Sequence, residues 1–287
     1  MLKIGLSSCG FELNEENFIK LKLAEICNIE ISMHLDELKQ LDFEKVGFLS
    51  KKHGVNLWSL HLPFHGCDKK IDIASQDEEV RTYSVNLWKD FIKKGVDIGI
   101  SKFIAHPSSE PKSEDETNRE TELCCAKKSL ADLALFAQNL GATVAVENLP
   151  RSCLGRNSDE MLRLISAHPA LGICFDTNHL LSEDTFEFID KIKDRIITLH
   201  VSDYDYVNER HWLPGEGKID FLRLYDKLIS SGYNGVWLYE IGLLPPRTII
   251  RERNLEFTDF VNNANEIFAH KPLTAIGKPK PNLGMWE

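Results

Sequence analysis

At 287 residues the chain can bury one substantial core, and single α/β barrels commonly have this size. Apolar residues make up 43 % and charged residues 27 %, a globular balance that excludes a disordered or fibrous chain. A net charge of −10, with no long Lys/Arg cluster, argues against a phosphate backbone as partner, so nucleic acid is disfavoured.

Seven cysteines are scattered (Cys9, Cys27, Cys67, Cys124, Cys125, Cys153, Cys174), with no Cys-x-x-Cys pair. The opening residues lack a signal peptide's apolar core and no apolar run spans a bilayer, so the expectation is a reduced, cytoplasmic protein without a membrane partner.

In chain order, short apolar runs ending in polar residues recur: 2–8, 28–33, 56–63, 101–107, 142–149, 171–177, 195–203 and 235–242. Amphipathic stretches separate them, such as 15–26, 77–99, 124–141 and 219–231. Gly99, Gly141 and Gly232 fall where helix C-caps belong. A helix over roughly 251–268 closes the set, and residues 271–287, with Pro272, Pro279 and Pro281, are expected as an irregular tail after a barrel domain over 1–270. Eight strand-to-helix repeats predict an α/β fold, a single (β/α)8 TIM barrel. A doubly wound sheet also alternates strand and helix, but no Gly-x-Gly-x-x-Gly follows the first strand.

Alternation sharpens the choice, because side chains two apart share a strand face. With Glu147 pointing inward, Ala145 and Thr143 follow it, and Val144 and Val146 meet the helices. With Asp176 inward, so are Cys174 and Gly172. With His200 inward, Thr198 and Ile196 are expected beside it. Small residues therefore lie beneath the polar ends, which suits a barrel with a buried site.

The strand ends carry His61, His106, Glu147, Asp176, His200 and Glu240, each a potential metal ligand. One strand-end His or Glu is ordinarily a hydrogen-bonded or ion-paired structural residue. Carboxylates converging on one point repel unless a cation neutralises them, so six together point to a metal. His179 follows Asp176 on the same turn, although Asp176 could instead cap a helix. In Arg210-His-Trp-Leu-Pro-Gly-Glu-Gly217 the Pro-Gly turn aims Arg210, His211 and Trp212 at the barrel mouth. Glu30, a charge inside the second strand with no visible partner, is expected to be structural. Trp58, Trp88 and Trp237 are expected in the core or against the helices.

These segments, SLHLPFHG, FIAHPSS, VAVENLP, CFDTNH, TLHVSD, RHWLPGEGKIDF and LYEI, resemble the xylose isomerase-like barrel superfamily over nearly the whole chain. The similarity is to its sugar phosphate isomerase/epimerase group, related to the endonuclease IV family. The resemblance implies one divalent metal ion (Mn²⁺, Mg²⁺, Co²⁺ or Zn²⁺) on Glu147, Asp176, His200 and Glu240, with the two glutamates doubling as proton carriers. It gives His179 a substrate contact. The endonuclease pattern also claims His61, His106, His179 and His211, with Glu209 in place of an aspartate, which implies room for additional Zn²⁺. Where ketose 3-epimerases carry a sugar-binding arginine before the Pro-Gly turn, this chain has His211.

The function expected is isomerisation or epimerisation of a sugar, sugar phosphate or cyclic polyol through an ene-diolate, with His179, Arg151 and His211 on the hydroxyls and Trp212 over an apolar sugar face. The partner is a small-molecule carbohydrate, and a homo-oligomer is implied by the resemblance. The rival readings are a zinc-cluster phosphodiesterase acting on abasic DNA and a non-catalytic metal- or sugar-binding barrel.

Overall fold

A computed structural model describes residues 1–66 and 69–284; Cys67 and the last three residues of the tail, 285–287, lie outside the described residues. Eight parallel strands follow the expected runs: β1 (Lys3–Ser7), β2 (Asn28–Ile31), β3 (Asn56–His61), β4 (Lys102–Ala105), β5 (Thr143–Glu147), β6 (Gly172–Asp176), β7 (Ile196–His200) and β8 (Val236–Tyr239). Each pairs with the next as far as β7, and β8 returns beside β1. The ring closes between β7 and β8 through a parallel bridge at Val201 and Tyr239, where Val201 N donates to Leu238 O at 2.8 Å. This is the (β/α)8 barrel. The closing bridge lies immediately after His200 and before Glu240, so closure itself brings those two residues together.

The helices outside the ring are α1 (Glu15–Leu23), α2 (Leu35–Gln40), α3 (Phe43–His53), α4 (Glu78–Asp97), α5 (Glu116–Asn139), α6 (Ser158–Ile165), α7 (Thr185–Ile192), α8 (Phe221–Ser230) and α9 (Phe257–Phe268). Their starts are set locally. Asn14, Asp42, Asp77, Asp115, Asn157, Asp184 and Asp220 each accept a backbone N–H of the first turn, satisfying a donor that the helix cannot. Gly99, Gly141 and Gly232 take the left-handed conformation just past α4, α5 and α8, as their positions predict.

The two faces of the strands differ as the alternation requires. Val144, Val146, Ile173 and Phe175 join the large core under the helices, with the Phe175 and Phe188 rings 5.7 Å apart. Ile104, Ala145 and Cys174 form a separate small cluster inside the barrel, with Ile197 packed against it. One expectation fails here. Ile196 belongs to the outer core and Ile197 fills the interior, because the pairing of β6 and β7 slips between Ile173 and Cys174. Such a bulge adds a residue and reverses the faces below it. Gly172 leaves the space that Ile197 occupies: a Cβ there would lie 2.5 Å from the Ile197 side chain. Trp58 crosses the interior, donating from Nε1 to Thr198 Oγ1 on the facing strand at 2.9 Å. Trp237 lies among Phe221, Tyr225 and Phe268 on the helical side, and Trp88 donates to Pro63 O.

The C-terminal region also departs from expectation. The last helix begins at Phe257, since Ile249–Arg251 form an extra strand, β9, and Glu256 caps the helix. The tail is not wholly irregular: Gly277–Pro279 form β10, antiparallel to β9. Proline is tolerated there because the ribbon has only two strands and Pro279 ends one of them. Among the described residues no helix is long and apolar enough to cross a membrane.

Candidate metal centre

Four successive strands, β5 to β8, each deliver one polar residue to the same end of the barrel. Glu147 and Asp176 are the last residues of β5 and β6, His200 the last of β7, and Glu240 follows β8. One ligand atom from each lies within 4.8 Å of the others. Nδ1 of His200 stands 3.2 Å from Glu147 Oε1, 3.5 Å from Glu240 Oε2 and 3.9 Å from Asp176 Oδ2. Asn148, which the sequence reading passed over, holds the first two ligand strands in register. Its Oδ1 accepts from Asp176 N at 2.8 Å and its Nδ2 donates to Asp176 O at 2.9 Å. Asp176 is not a helix cap; α7 begins later, on Asp184, and Asp176 Oδ1 accepts from Asn178 N at 2.6 Å.

His61 and His106 approach the same glutamate from the other side. Nε2 of each lies 3.2 Å from Glu147 Oε2, and His179 Nδ1 lies 3.5 Å from Oε1. Burial raises the Glu147 carboxyl, but the imidazoles of His200 and His106 outweigh it and hold the group well below the usual glutamate range. Asp176 moves the other way. Burial pushes it well above the usual aspartate value, and the carboxylates of Glu240 and Glu147 add to that push. The cluster thus holds more negative charge than its imidazoles comfortably balance.

That imbalance fits a cation. Asp176 Oδ2 is buried and has no hydrogen-bond partner among the described residues, an arrangement that costs free energy unless another acceptor of its lone pair is supplied. Three carboxylates and one imidazole make an oxygen-rich donor set suited to Mn²⁺, Mg²⁺ or Co²⁺, with Zn²⁺ also compatible.

A second group forms beside the first. His179, Glu209 and His211 also bring ligand atoms within 4.8 Å of one another. His179 Nδ1 bonds Asn148 O at 2.9 Å, which turns Nε2 toward Glu209 Oε2 at 3.1 Å. Burial opposes protonation of His179, yet Asp176 and Glu209 push its pKa up to about 10. His211, in left-handed backbone at φ 53°, bonds Glu240 O through Nδ1 at 3.1 Å.

Two residues expected at the substrate sit elsewhere. Arg151 is held by Glu110, Asn208 and Glu209, at 2.7–3.0 Å, so its guanidinium braces the loops after β4, β5 and β7. Trp212 is 1 % exposed and donates to Thr248 Oγ1, which places it beneath the loop rather than over the cleft. The loop owes its shape to Asp203, whose carboxylate accepts the N–H groups of Tyr204, Gly215, Gly217 and Ile219. Glu30 has the partner that sequence could not show. Its oxygens lie 3.0 and 3.1 Å from His200 Nε2, and Ser59 Oγ donates to it at 2.7 Å. The only available signal was its inward phase, between the outward Ile29 and Ile31.

The centre opens into a cleft of about 830 Å³ that Glu240 and His211 border, with Phe11, Leu13, Met33 and Phe64 among its apolar walls and Glu12, Glu37 and Asp42 among its polar ones. The described cysteines, Cys9 at the cleft and Cys27, Cys124, Cys125, Cys153 and Cys174 elsewhere, are free thiols.

Residues 18–256 match the model of a family described as the xylose isomerase-like TIM barrel. An uncharacterised protein of Methanocaldococcus jannaschii is 27 % identical over 212 residues, 71 % of this chain and 70 % of that protein. Fructoselysine 3-epimerase of Escherichia coli O157:H7 is 27 % identical over 122 residues, 40 % of this chain; the match spans 44 % of that enzyme's length. A solved structure of a D-tagatose 3-epimerase-like protein superposes with a TM-score of 0.78 at 22 % identity, covering 94 % of this chain and 98 % of that one.

Proposed function

We infer the activity from one premise: the chain belongs to the xylose isomerase-like TIM barrel family. The protein is an enzyme, a divalent-metal-dependent isomerase or epimerase of a sugar or related polyol. The observation that carries this reading is the convergence of Glu147, Asp176, His200 and Glu240, with Glu240 bordering a cleft and Asp176 Oδ2 lacking a partner among the described residues. The relatives named for 3-epimerase activity support the substrate class.

A divalent ion held by these four residues supplies Lewis acidity toward vicinal substrate oxygens, lowering the cost of negative charge on them. The reaction removes a proton from the carbon beside a carbonyl, leaving an ene-diolate, and returns one to either face. Glu147 and Glu240 are the two proton carriers. Glu240 is 12 % exposed at its side chain and borders the cleft, so it reaches a bound sugar directly. Glu147 is enclosed by His61, His106 and His200, which favour its ionised, proton-accepting form. His211 borders the cleft and, with Nδ1 on Glu240 O, offers Nε2 to a substrate hydroxyl. The cleft lies in the upper part of the ordinary range for ligand sites, which leaves space for a substituent beyond the sugar.

The test follows proton exchange. Metal-loaded protein in deuterated water should wash deuterium into the carbon next to the carbonyl of a ketose substrate, and Glu147→Gln and Glu240→Gln should each abolish it. Near-normal exchange in both variants, with metal bound, ends the two-glutamate assignment.

The His179, Glu209 and His211 group favours one second reading, a multi-zinc phosphodiesterase acting on abasic DNA. Prompt nicking of an abasic oligonucleotide by zinc-loaded protein would reverse the ranking.

A further inference from the structure

Glu30 is fully buried inside the barrel, on β2, with a carboxylate that no lysine or arginine side chain approaches within ion-pair distance among the described residues. As a purely structural device this is an expensive choice, since an apolar residue in a barrel interior is generally no less stable than a buried ionic contact. Its geometry is specific, however. One imidazole edge of His200, Nε2, bonds Glu30 Oε2 at 3.1 Å, with Oε1 at 3.0 Å but outside hydrogen-bond geometry. The opposite edge, Nδ1, faces Glu147, Asp176 and Glu240. Ser59 on the neighbouring strand donates to Glu30 Oε2 at 2.7 Å and fixes the carboxylate in turn. A bulge in the β2–β3 pairing between Ile29 and Glu30 is what sets Ser59 opposite it.

We propose that Glu30 is a positioning residue for the metal centre: it holds His200 in the tautomer that carries its hydrogen on Nε2, so that the Nδ1 lone pair points at the ion. The proposal rests on the metal-dependent reading above. A carboxylate behind a ligating imidazole locks the ring's orientation and increases the electron density on the ligating nitrogen. Either unlocked alternative weakens the site. With the hydrogen on Nδ1 the ring presents no lone pair to the cluster, and a doubly protonated ring repels a cation. Ser59 completes the chain Ser59–Glu30–His200, so β3 and β2 act across the barrel interior on one ligand atom of β7.

The experiment is Mn²⁺ binding by titration calorimetry to the full chain, comparing the parent with Glu30→Gln and Ser59→Ala. Glu30→Gln keeps the shape and an acceptor but removes the charge, and the Mn²⁺ dissociation constant should rise about 10- to 100-fold. Ser59→Ala should raise it by a smaller factor. A second measurement needs no variant: ¹⁵N–¹H long-range correlation spectra of the Mg²⁺- or Zn²⁺-loaded parent should show His200 protonated at Nε2 only. A Glu30→Gln affinity within twofold of the parent overturns the proposal, as does a loaded parent with the hydrogen on Nδ1. If the parent itself binds no divalent ion, it is the metal-dependent reading that falls.

Discussion

Two of the buried charged clusters among the described residues are opposite in character, and their difference separates scaffold from chemistry. Around Arg119, on α5, every guanidinium donor has a partner. Nε and Nη2 reach the two oxygens of Glu160, Nη1 reaches Ser113 O and Ser152 O, and Nη2 also reaches Cys153 O. Gly155 N donates to Glu160 as well. The cluster is closed, one charge against one charge, and it ties the loops after β4 and β5 to α6. At the strand ends the reverse holds. Glu147, Asp176 and Glu240, with Glu30 behind them, crowd a few imidazoles, and Asp176 Oδ2 is left over. A self-sufficient cluster stabilises the fold; one that needs an additional cation is built for a ligand.

The sharpest way to break the comparison is at the centre. Glu240→Gln should lower turnover by about 10²- to 10⁴-fold, the usual contribution of a general acid–base group, while leaving thermal unfolding of the metal-free protein nearly unchanged. An unaltered rate in steady-state assays would move proton transfer elsewhere.

The converse change is Arg119→Met. It strands the buried Glu160 carboxylate, and removing one member of a buried pair costs about 3–5 kcal/mol in denaturant unfolding. Mn²⁺ affinity, measured on the folded fraction, should stay at the parent's value. A large affinity loss would mean that the two clusters are not independent.

Metal addition distinguishes them again. Mn²⁺ at a hundredfold excess over its dissociation constant should stabilise the folded protein by about 2.7 kcal/mol, and chelation should reverse the gain. Asp176→Asn should remove that increment, whereas Arg119→Met should retain it. Equal stabilisation of parent and Asp176→Asn would place the ion elsewhere.

The smallest effect belongs to Asp72, which anchors the loop after β3 to Lys112 and to Ser109 N. Burial raises this carboxyl, but Lys112 and Ser109 outweigh it and lower its pKa below the ordinary 3.8. Because the folded value is depressed, its contribution is complete above the unfolded value and is lost as pH falls through the folded one. Unfolding midpoints followed downward from pH 5 should fall less steeply in Asp72→Asn than in the parent. Parallel curves would show that Asp72 contributes nothing to acid sensitivity.

Much of this centre was legible before any coordinates. Glu147, Asp176 and His200 end apolar runs of period two, and Glu240 follows another, so their common rim was predictable from strand geometry alone. His61, His106 and His179 converge on Glu147 for the same reason. The failures share a different cause. Ile196 and Ile197 exchanged faces because the slip lies in the pairing with β6, not in the residues of β7. Trp212 and Arg151 are engaged by partners on remote loops, Thr248 and Glu110, and do not line the cleft. The β9–β10 ribbon pairs Ile249 with Pro279, thirty residues on, across a stretch whose prolines read as irregular.

The chain's own pattern thus determined the count of barrel strands, the helix ends marked by Gly99, Gly141 and Gly232, and which polar residues stand at the strand ends, since each depends on neighbours a few bonds away. Only the closed barrel decided that Glu30 meets His200 across 170 positions, that Ser59 braces it, and that Asp176 is left an oxygen without a partner. Those relations depend on register and ring closure, which bring remote backbone segments to fixed distances and leave no trace in local sequence.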